Sequence, residues 1–172
     1  MGIGEVSAPS PQLLRSIRLV ALDIDGVLSD GTISIDSDGL ERRVFDIKDG
    51  LGVVQMVQAG ISVSVISSSS SQAGVARLER LGVSPVLTGV HDKWEALEEL
   101  MASRGLSLEN VAFMGDDLPD LPCLQRVGLP TAPANAVSAV TDVAAWVSER
   151  PGGRGAVREL SDLLVQAAGG AE

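Results

Sequence analysis

Short apolar runs alternate with helically spaced stretches along most of the chain, and glycines mark the joints between them. No other feature constrains the fold as strongly. Strands that are hydrophobic on consecutive residues must be covered on both faces, and the intervening helices are what cover them. Residues 17–24 (IRLVALDI) are the first such run, and it ends in carboxylates. Further runs lie at 61–66, 85–87 and 110–114. Helical spacing is read over 49–59, 72–81, 92–103 and 118–127, with Gly60, Gly82 and Gly105 closing the first three. Pro119 and Pro122 are placed in the first turn of the fourth. Short segments follow at 129–132, 136–140 and 144–147, and a last helix is read over 156–168. Residues 32–36 and 42–46 alternate apolar and polar around Asp38-Gly39, a β-hairpin signal just after the first strand. The expectation is a single α/β domain, a mostly parallel sheet with helices on both faces. Residues 1–14 read as a flexible lead-in and 15–172 as the domain, with a Gly-rich tail segment at 151–158.

At 172 residues and 45% hydrophobic content, the chain suffices for one ordinary core and is short for two. Asp plus Glu number 23 against 13 Lys plus Arg, a net charge of −10. That balance disfavours nucleic acid as a partner, since phosphates need cationic neutralisation, and disfavours an electrostatic seat on an anionic membrane. An anionic substrate would need a local positive site or a bound cation. Two Trp and two Phe, with no Tyr, are too few to build a stacking platform. The single cysteine, Cys123, excludes a disulfide framework and fits a reducing compartment. No apolar run reaches membrane-spanning length, and MGIGEVSAPSPQ lacks the features of a secretory signal. The expected location is the cytoplasm.

Ligands of such sheets gather beyond the carboxyl ends of the strands. The first predicted end carries Asp23-Ile24-Asp25-Gly26, and the second Ser67-Ser68-Ser69. Lys93 follows the third at a helix start, and Gly115-Asp116-Asp117-Leu118-Pro119-Asp120 follows the fourth. A hard divalent cation takes carboxylate and carbonyl oxygens. One carboxylate can attack phosphorus. A second, two residues on, can protonate a leaving alkoxide and then deprotonate water. A lysine and a hydroxyl can hold the transferring group's oxygens. Gly26 would let the backbone turn tightly over a phosphate. This set has the composition of a Mg²⁺-assisted phosphoryl-transfer site.

The run LDIDGVLSDG, with its DxDG core, FDIKDG at the hairpin's foot, GDDLPDLP and PGGRGAVREL together resemble the haloacid dehalogenase (HAD) superfamily. Within it they resemble the 3-deoxy-octulosonate 8-phosphate phosphatase subfamily, whose relatives act on nonulosonate (sialic-type) 9-phosphates. The resemblance runs from residue 19 to 164 in order. It implies a Rossmann-like three-layer parallel sheet with a small hairpin flap and no cap domain. The 41 residues between Asp25 and Ser67 agree, leaving no room for an inserted domain. It also implies Mg²⁺ as cofactor and a phosphorylated 2-keto-3-deoxy sugar acid as substrate, hydrolysed through an aspartyl-phosphate. Asp23 is then nucleophile and metal ligand. Asp25 is general acid/base and offers its carbonyl to the metal, and Asp116 completes the metal site. Ser67, Ser68, Lys93 and Gly26 bind phosphate, and Asp117 and Asp120 support. Lys48, Asp49, Ser69, Arg77 and Arg154 are the substrate-side candidates. Homotetramers are expected, a neighbour's hairpin and 152–158 tail helping to close each site.

One departure stands out. The subfamily's second motif reads T-G-R, or T-G-E and S-T-E in the nonulosonate relatives, whereas this chain has Ser67-Ser68-Ser69. The hydroxyl is kept, but position 69 lacks a charge, which weakens the choice between octulosonate and nonulosonate. Arg77, Arg80, Arg154 and Arg158 face either a substrate or solvent. His91 reads as an exposed loop residue and Cys123 as a small core residue. Two rival readings are a non-catalytic tetramerisation module of a sugar-acid cytidylyltransferase and a phospho-acceptor signalling domain. The intact carboxylate pairs and lysine weigh against both.

Overall fold

The computed structural model describes residues 9–169. A short helix, α1 (Pro11–Ser16), opens it, with the Ser10 hydroxyl accepting from the Leu13 N–H and Leu14 buried. The expected lead-in therefore stops short of residue 11, and residues 1–8 of it lie outside the described residues. Next comes β1 (Leu19–Leu22), buried at every position. Leu19 and Ala21 face one helix layer and Val20 and Leu22 the other, as the period of two in a strand requires. The hairpin β2 (Ser34–Ile35) and β3 (Glu41–Arg42) stands outside the main sheet. It leads to α2 (Ile47–Gln58), which starts two residues before its expected start because the Asp46 carboxylate caps the Lys48 N–H.

The remaining elements are β4 (Ser62–Ile66), α3 (Val75–Arg80), β5 (Val86–Leu87), α4 (Lys93–Arg104), β6 (Val111–Met114), α5 (Leu121–Leu124), β7 (Leu129–Ala132), α6 (Ser138–Thr141), β8 (Trp146–Val147) and α7 (Ala156–Gly169). The main sheet runs β5-β4-β1-β6-β7-β8, parallel throughout, so the α/β expectation holds with six strands. One face packs on α1, α2 and α7 through Leu14, Val53, Met56, Leu160 and Leu164. The other packs on α4 and α5 through Leu97, Leu100, Cys123 and Leu124. No helix among the described residues is long and apolar enough to cross a membrane.

Two predicted helices are shorter than their spacing suggests. Over 118–127 a tight turn (Leu118–Asp120) and the single turn of α5 replace a continuous helix. Asp117 and Asp120 cap each other's N–H groups there, and the prolines supply no donors to extend the ladder. Residues 72–74 stay outside α3 because the serine run organises its own turns. Ser67 Oγ accepts from the Ser69 N–H, Ser69 Oγ from the Ser71 N–H, and Ser71 Oγ from the Ala73 N–H.

Candidate active site

The three central strands deliver their carboxyl ends to one cleft of about 260 Å³. β1 ends in Asp23, followed by a wide turn over Ile24–Leu28 that is kinked at Asp25 and Gly26. β4 ends in Ser67, whose N–H donates to the Leu87 carbonyl at 2.9 Å. β6 leads through Gly115 to Asp116. The cleft is lined by Asp23, Asp25, Ser67, Ser68, Ser69, Lys93, Asp116, Asp117 and Asp120, nine of the residues predicted for it.

Lys93, the first residue of α4, holds the centre. Its Nζ lies 2.7 Å from Asp120 Oδ1 and 3.1 Å from Asp23 Oδ1, with the side chain only 2% exposed. Burial opposes its charge, but Asp23 and Asp120 outweigh that and raise the ammonium's pKa above its ordinary value. Asp120 is fully used. Oδ1 takes Lys93 and Oδ2 takes the Asp116 and Asp117 N–H groups. It therefore shapes the loop and holds the lysine. Asp117, exposed at the rim, caps the Leu118 N–H.

Asp23 accepts from the Ile24 N–H (2.7 Å) and Lys93 through Oδ1, leaving Oδ2 for the cleft. Burial pushes its carboxyl up to about 6, Asp120 adding to the effect and Lys93 opposing it. Asp116 is pushed up to about 7, by burial first and then by Asp120 and Asp23. Carboxylate oxygens of Asp23, Asp116 and Asp120 all lie within 4.8 Å of one another. With Asp120 occupied, Asp23 and Asp116 are two mutually repelling oxygen donors that a divalent cation would neutralise. The donor set suits a hard ion.

Gly26, at the kink of the turn, also makes room for a side chain. At φ +90°, a Cβ there would overlap Asp116 Oδ2, so its bare Cα is what admits Asp116 beside the turn that follows β1. Gly152 is pressed in the same way against the Gly26 carbonyl, and the Gly153 N–H donates to the Val27 carbonyl. These tail glycines are buried on their own chain's turn. Arg154 of the same 152–158 segment is exposed.

Four substrate-side candidates lie elsewhere. Asp49 is 1% exposed, and its carboxylate accepts from the Gly155 and Arg158 N–H groups, anchoring α7. Lys48 and Arg154 line a separate groove of about 530 Å³ along α7, with Arg154 exposed and paired to Asp30 at 3.2 Å. Arg77 lies behind the hairpin's foot, beside Gly50 and Phe45. Only Ser69 of that group meets the cleft.

The sequence reading missed Arg43. It follows β3, and its Nε and Nη2 bond Asp25 Oδ1 and Oδ2 at 2.6 and 3.1 Å. The bond to Asp25 holds the guanidinium still more firmly protonated than usual. The doubled arginine of a hairpin strand was the available signal, but which of the two turns inward is set by the strand's alternation and its partners.

A family model for haloacid dehalogenase-like hydrolases matches residues 81–159. The chain is 39% identical over 166 residues to the 3-deoxy-D-manno-octulosonate 8-phosphate phosphatase KdsC of Escherichia coli strain B/BL21-DE3, covering 96% of this chain and 88% of that protein. Among solved structures, the Moraxella catarrhalis octulosonate phosphatase, in complex with magnesium, phosphate and KDO, superposes with a TM-score of 0.89 at 36% identity over 96% of this chain and 93% of that one. The cobalt-bound Haemophilus influenzae enzyme gives 0.87 at 37%, covering 92% of each. With the parallel sheet and the carboxylate cleft, these place the chain among the haloacid dehalogenase-like hydrolases, as a phosphatase. Within that class it belongs to the KdsC-type octulosonate 8-phosphate phosphatases.

Proposed function

We propose that this protein hydrolyses a terminal phosphomonoester of a 2-keto-3-deoxy sugar acid, 3-deoxy-D-manno-octulosonate 8-phosphate first, through an aspartyl-phosphate on Asp23. The observation that carries the reading is Asp23 itself, a buried residue lining the cleft, with Oδ1 held by Lys93 and the Ile24 N–H and Oδ2 not engaged by either. Oδ2 attacks phosphorus as the ester P–O bond breaks, and Asp25 gives the departing alkoxide a proton. Asp25 then removes a proton from the water that attacks the acyl-phosphate, freeing Asp23 and phosphate. Lys93 screens the charge of the transferring group. The Ser67 hydroxyl already accepts the Ser69 N–H and has its own proton to donate to a phosphate oxygen.

Mg²⁺ would be held by Asp23, Asp116 and the Asp25 carbonyl. It would supply charge neutralisation for the phosphoryl oxygens. The magnesium in the Moraxella catarrhalis complex supports the choice of ion, and the grouping of Asp23 and Asp116 oxygens supports the ligands. Ser69 keeps a nonulosonate 9-phosphate open as a second substrate, because position 69 brings no charge of its own to the cleft. A homotetramer in the cytoplasm completes the proposal. The exposed Ile35, Leu40 and Val44 of the hairpin support the assembly, and the single cysteine, buried, supports the compartment.

Phosphate release from the two sugar-acid phosphates, with Mg²⁺ and with EDTA, tests the reading. Turnover is expected with Mg²⁺ only, and Asp23→Asn should lower it by about 10⁴-fold or more, as loss of a covalent nucleophile does. The ratio of kcat/KM names the substrate. A folded protein that releases no phosphate from either sugar or from an aryl phosphate would sink the proposal and favour the non-catalytic tetramerisation module.

A further inference from the structure

Arginine has five N–H donors, and all five of Arg43's have partners. Nε and Nη2 take the two oxygens of Asp25. Nη1 takes Glu41 Oε2 at 3.0 Å and Ser71 Oγ at 2.9 Å, and Nη2 also takes Ser69 Oγ at 3.1 Å. The side chain is 4% exposed, whereas the Asp25 side chain is 32% exposed. One guanidinium thus joins three separate segments, namely the nucleophile turn, the hairpin and the serine loop that also carries Ser67.

We infer that Arg43 is a positioning residue that fixes the Asp25 carboxylate for proton transfer, and that Ser69 and Ser71 serve as its anchors rather than as substrate contacts. The inference rests on the reading of Asp25 as general acid/base. Three points carry it. A bidentate guanidinium fixes both the plane and the reach of a carboxylate, which a single contact cannot do. With every donor engaged, Arg43 has none left to receive a sugar acid's carboxylate. The serine hydroxyls that accept from it are themselves fixed by the ladder of N–H bonds along 69–73, so the clamp is anchored on backbone rather than on free side chains. The outcome is an acid/base held in register with the serine loop by the hairpin, a segment that adds no reacting group of its own.

The test compares kcat/KM, which spans the steps through leaving-group departure, for three substrates. Octulosonate 8-phosphate and a polyol phosphate both leave as alkoxides that need a proton, whereas p-nitrophenyl phosphate leaves without one. Arg43→Met should cost about 100-fold on both alkyl phosphates, and about tenfold or more less than that on the aryl ester, the pattern of a misplaced general acid. Arg43→Lys, which keeps the charge but not the planar fork, should restore part of the loss. The double variant Ser69→Ala/Ser71→Ala should shift the same ratio in the same direction, by about three- to tenfold. Equal losses on all three substrates, or none, would overturn the inference. So would a loss confined to the carboxylate-bearing sugar, which would make Arg43 a substrate contact. The clamp is also read without turnover. The Arg43 Nε–H should exchange with solvent more slowly than those of exposed arginines, and faster in Asp25→Ala. Exchange as fast as an exposed arginine's would overturn the inference even in an active enzyme. A wild-type protein that turned over none of the three would refute the phosphatase reading and leave the exchange result to decide the clamp.

Discussion

Asp49 lies in the FDIKDG segment, one residue past Lys48, yet its carboxylate is used inside the fold. It accepts the Gly155 and Arg158 N–H groups, so it caps α7 from the neighbouring helix. Burial raises its pKa, and the two backbone donors partly offset that. Asp49→Ala should leave two N–H groups unpaired and cost about 1–3 kcal/mol. By thermal melting that is a fall of roughly 3–10 °C, with KM for the sugar phosphate unchanged. A raised KM at unchanged melting temperature would return Asp49 to the substrate side. Residues such as Asp23 with Asp25, or Asp116 with Asp120, were legible because both members sit on one turn and their spacing fixes their geometry. Asp49 and Arg43 were not, because their partners come from distant segments. No local pattern announces which remote N–H or carboxylate a side chain will meet.

Elements read well where burial dictated them. A strand covered on both faces is mostly apolar, so β1 and β6 were visible as continuous runs and β4 as Val63, Val65 and Ile66 around Ser64, whose hydroxyl donates to the Ser84 carbonyl; with them came the ends that carry the site. The turn-rich stretch 118–127 was not, because side chains rather than the helix ladder satisfy its N–H groups. The hairpin is a third case. It was predicted from Asp38-Gly39, but its outer residues carry more apolar surface than a solvated flap needs. Ile35, Leu40 and Val44 are 60%, 58% and 69% exposed, and Ile47 beyond them 76%. Such a cluster is the signature of a covered surface. If the hairpin lies in the interface of the proposed tetramer, Ile35→Asp with Val44→Asp should shift the mass measured by light scattering toward smaller species. An unchanged mass would remove the hairpin from the interface.

Across the whole molecule, a net charge of −10 meets a cleft built of carboxylates. Asp23 and Asp116 have folded pKa values of about 6 and about 7 against 3.8 when unfolded. Between pH 4 and 7 the folded state thus holds protons that the unfolded state has released. Stability of the metal-free protein should therefore fall as pH rises through that window, by on the order of a few kcal/mol. Self-repulsion of the excess negative charge acts in the same direction. Mg²⁺ relieves the same repulsion that the protons do. The rise in melting temperature on adding Mg²⁺ should be larger at pH 8 than at pH 5.5, where protons compete for the oxygens. An equal rise at both values would show that the ion binds elsewhere.

The sheet order has a further consequence for how the protein is made. β1 is translated early, yet both of its neighbours come later in the chain. Leu19 pairs with Ser62 on one side and with Val111 on the other. The second pairing closes a loop of about 90 residues, the kind of non-local contact that slows folding. On the ribosome, β1 emerges as an apolar strand whose first edge waits for β4 and whose second waits for β6, about 90 residues behind it. At roughly 5–20 residues per second that delay is several seconds or more. A strand buried at every position in the finished enzyme is thus left with an open edge during synthesis, and this is a stage at which a chaperone has apolar surface to protect.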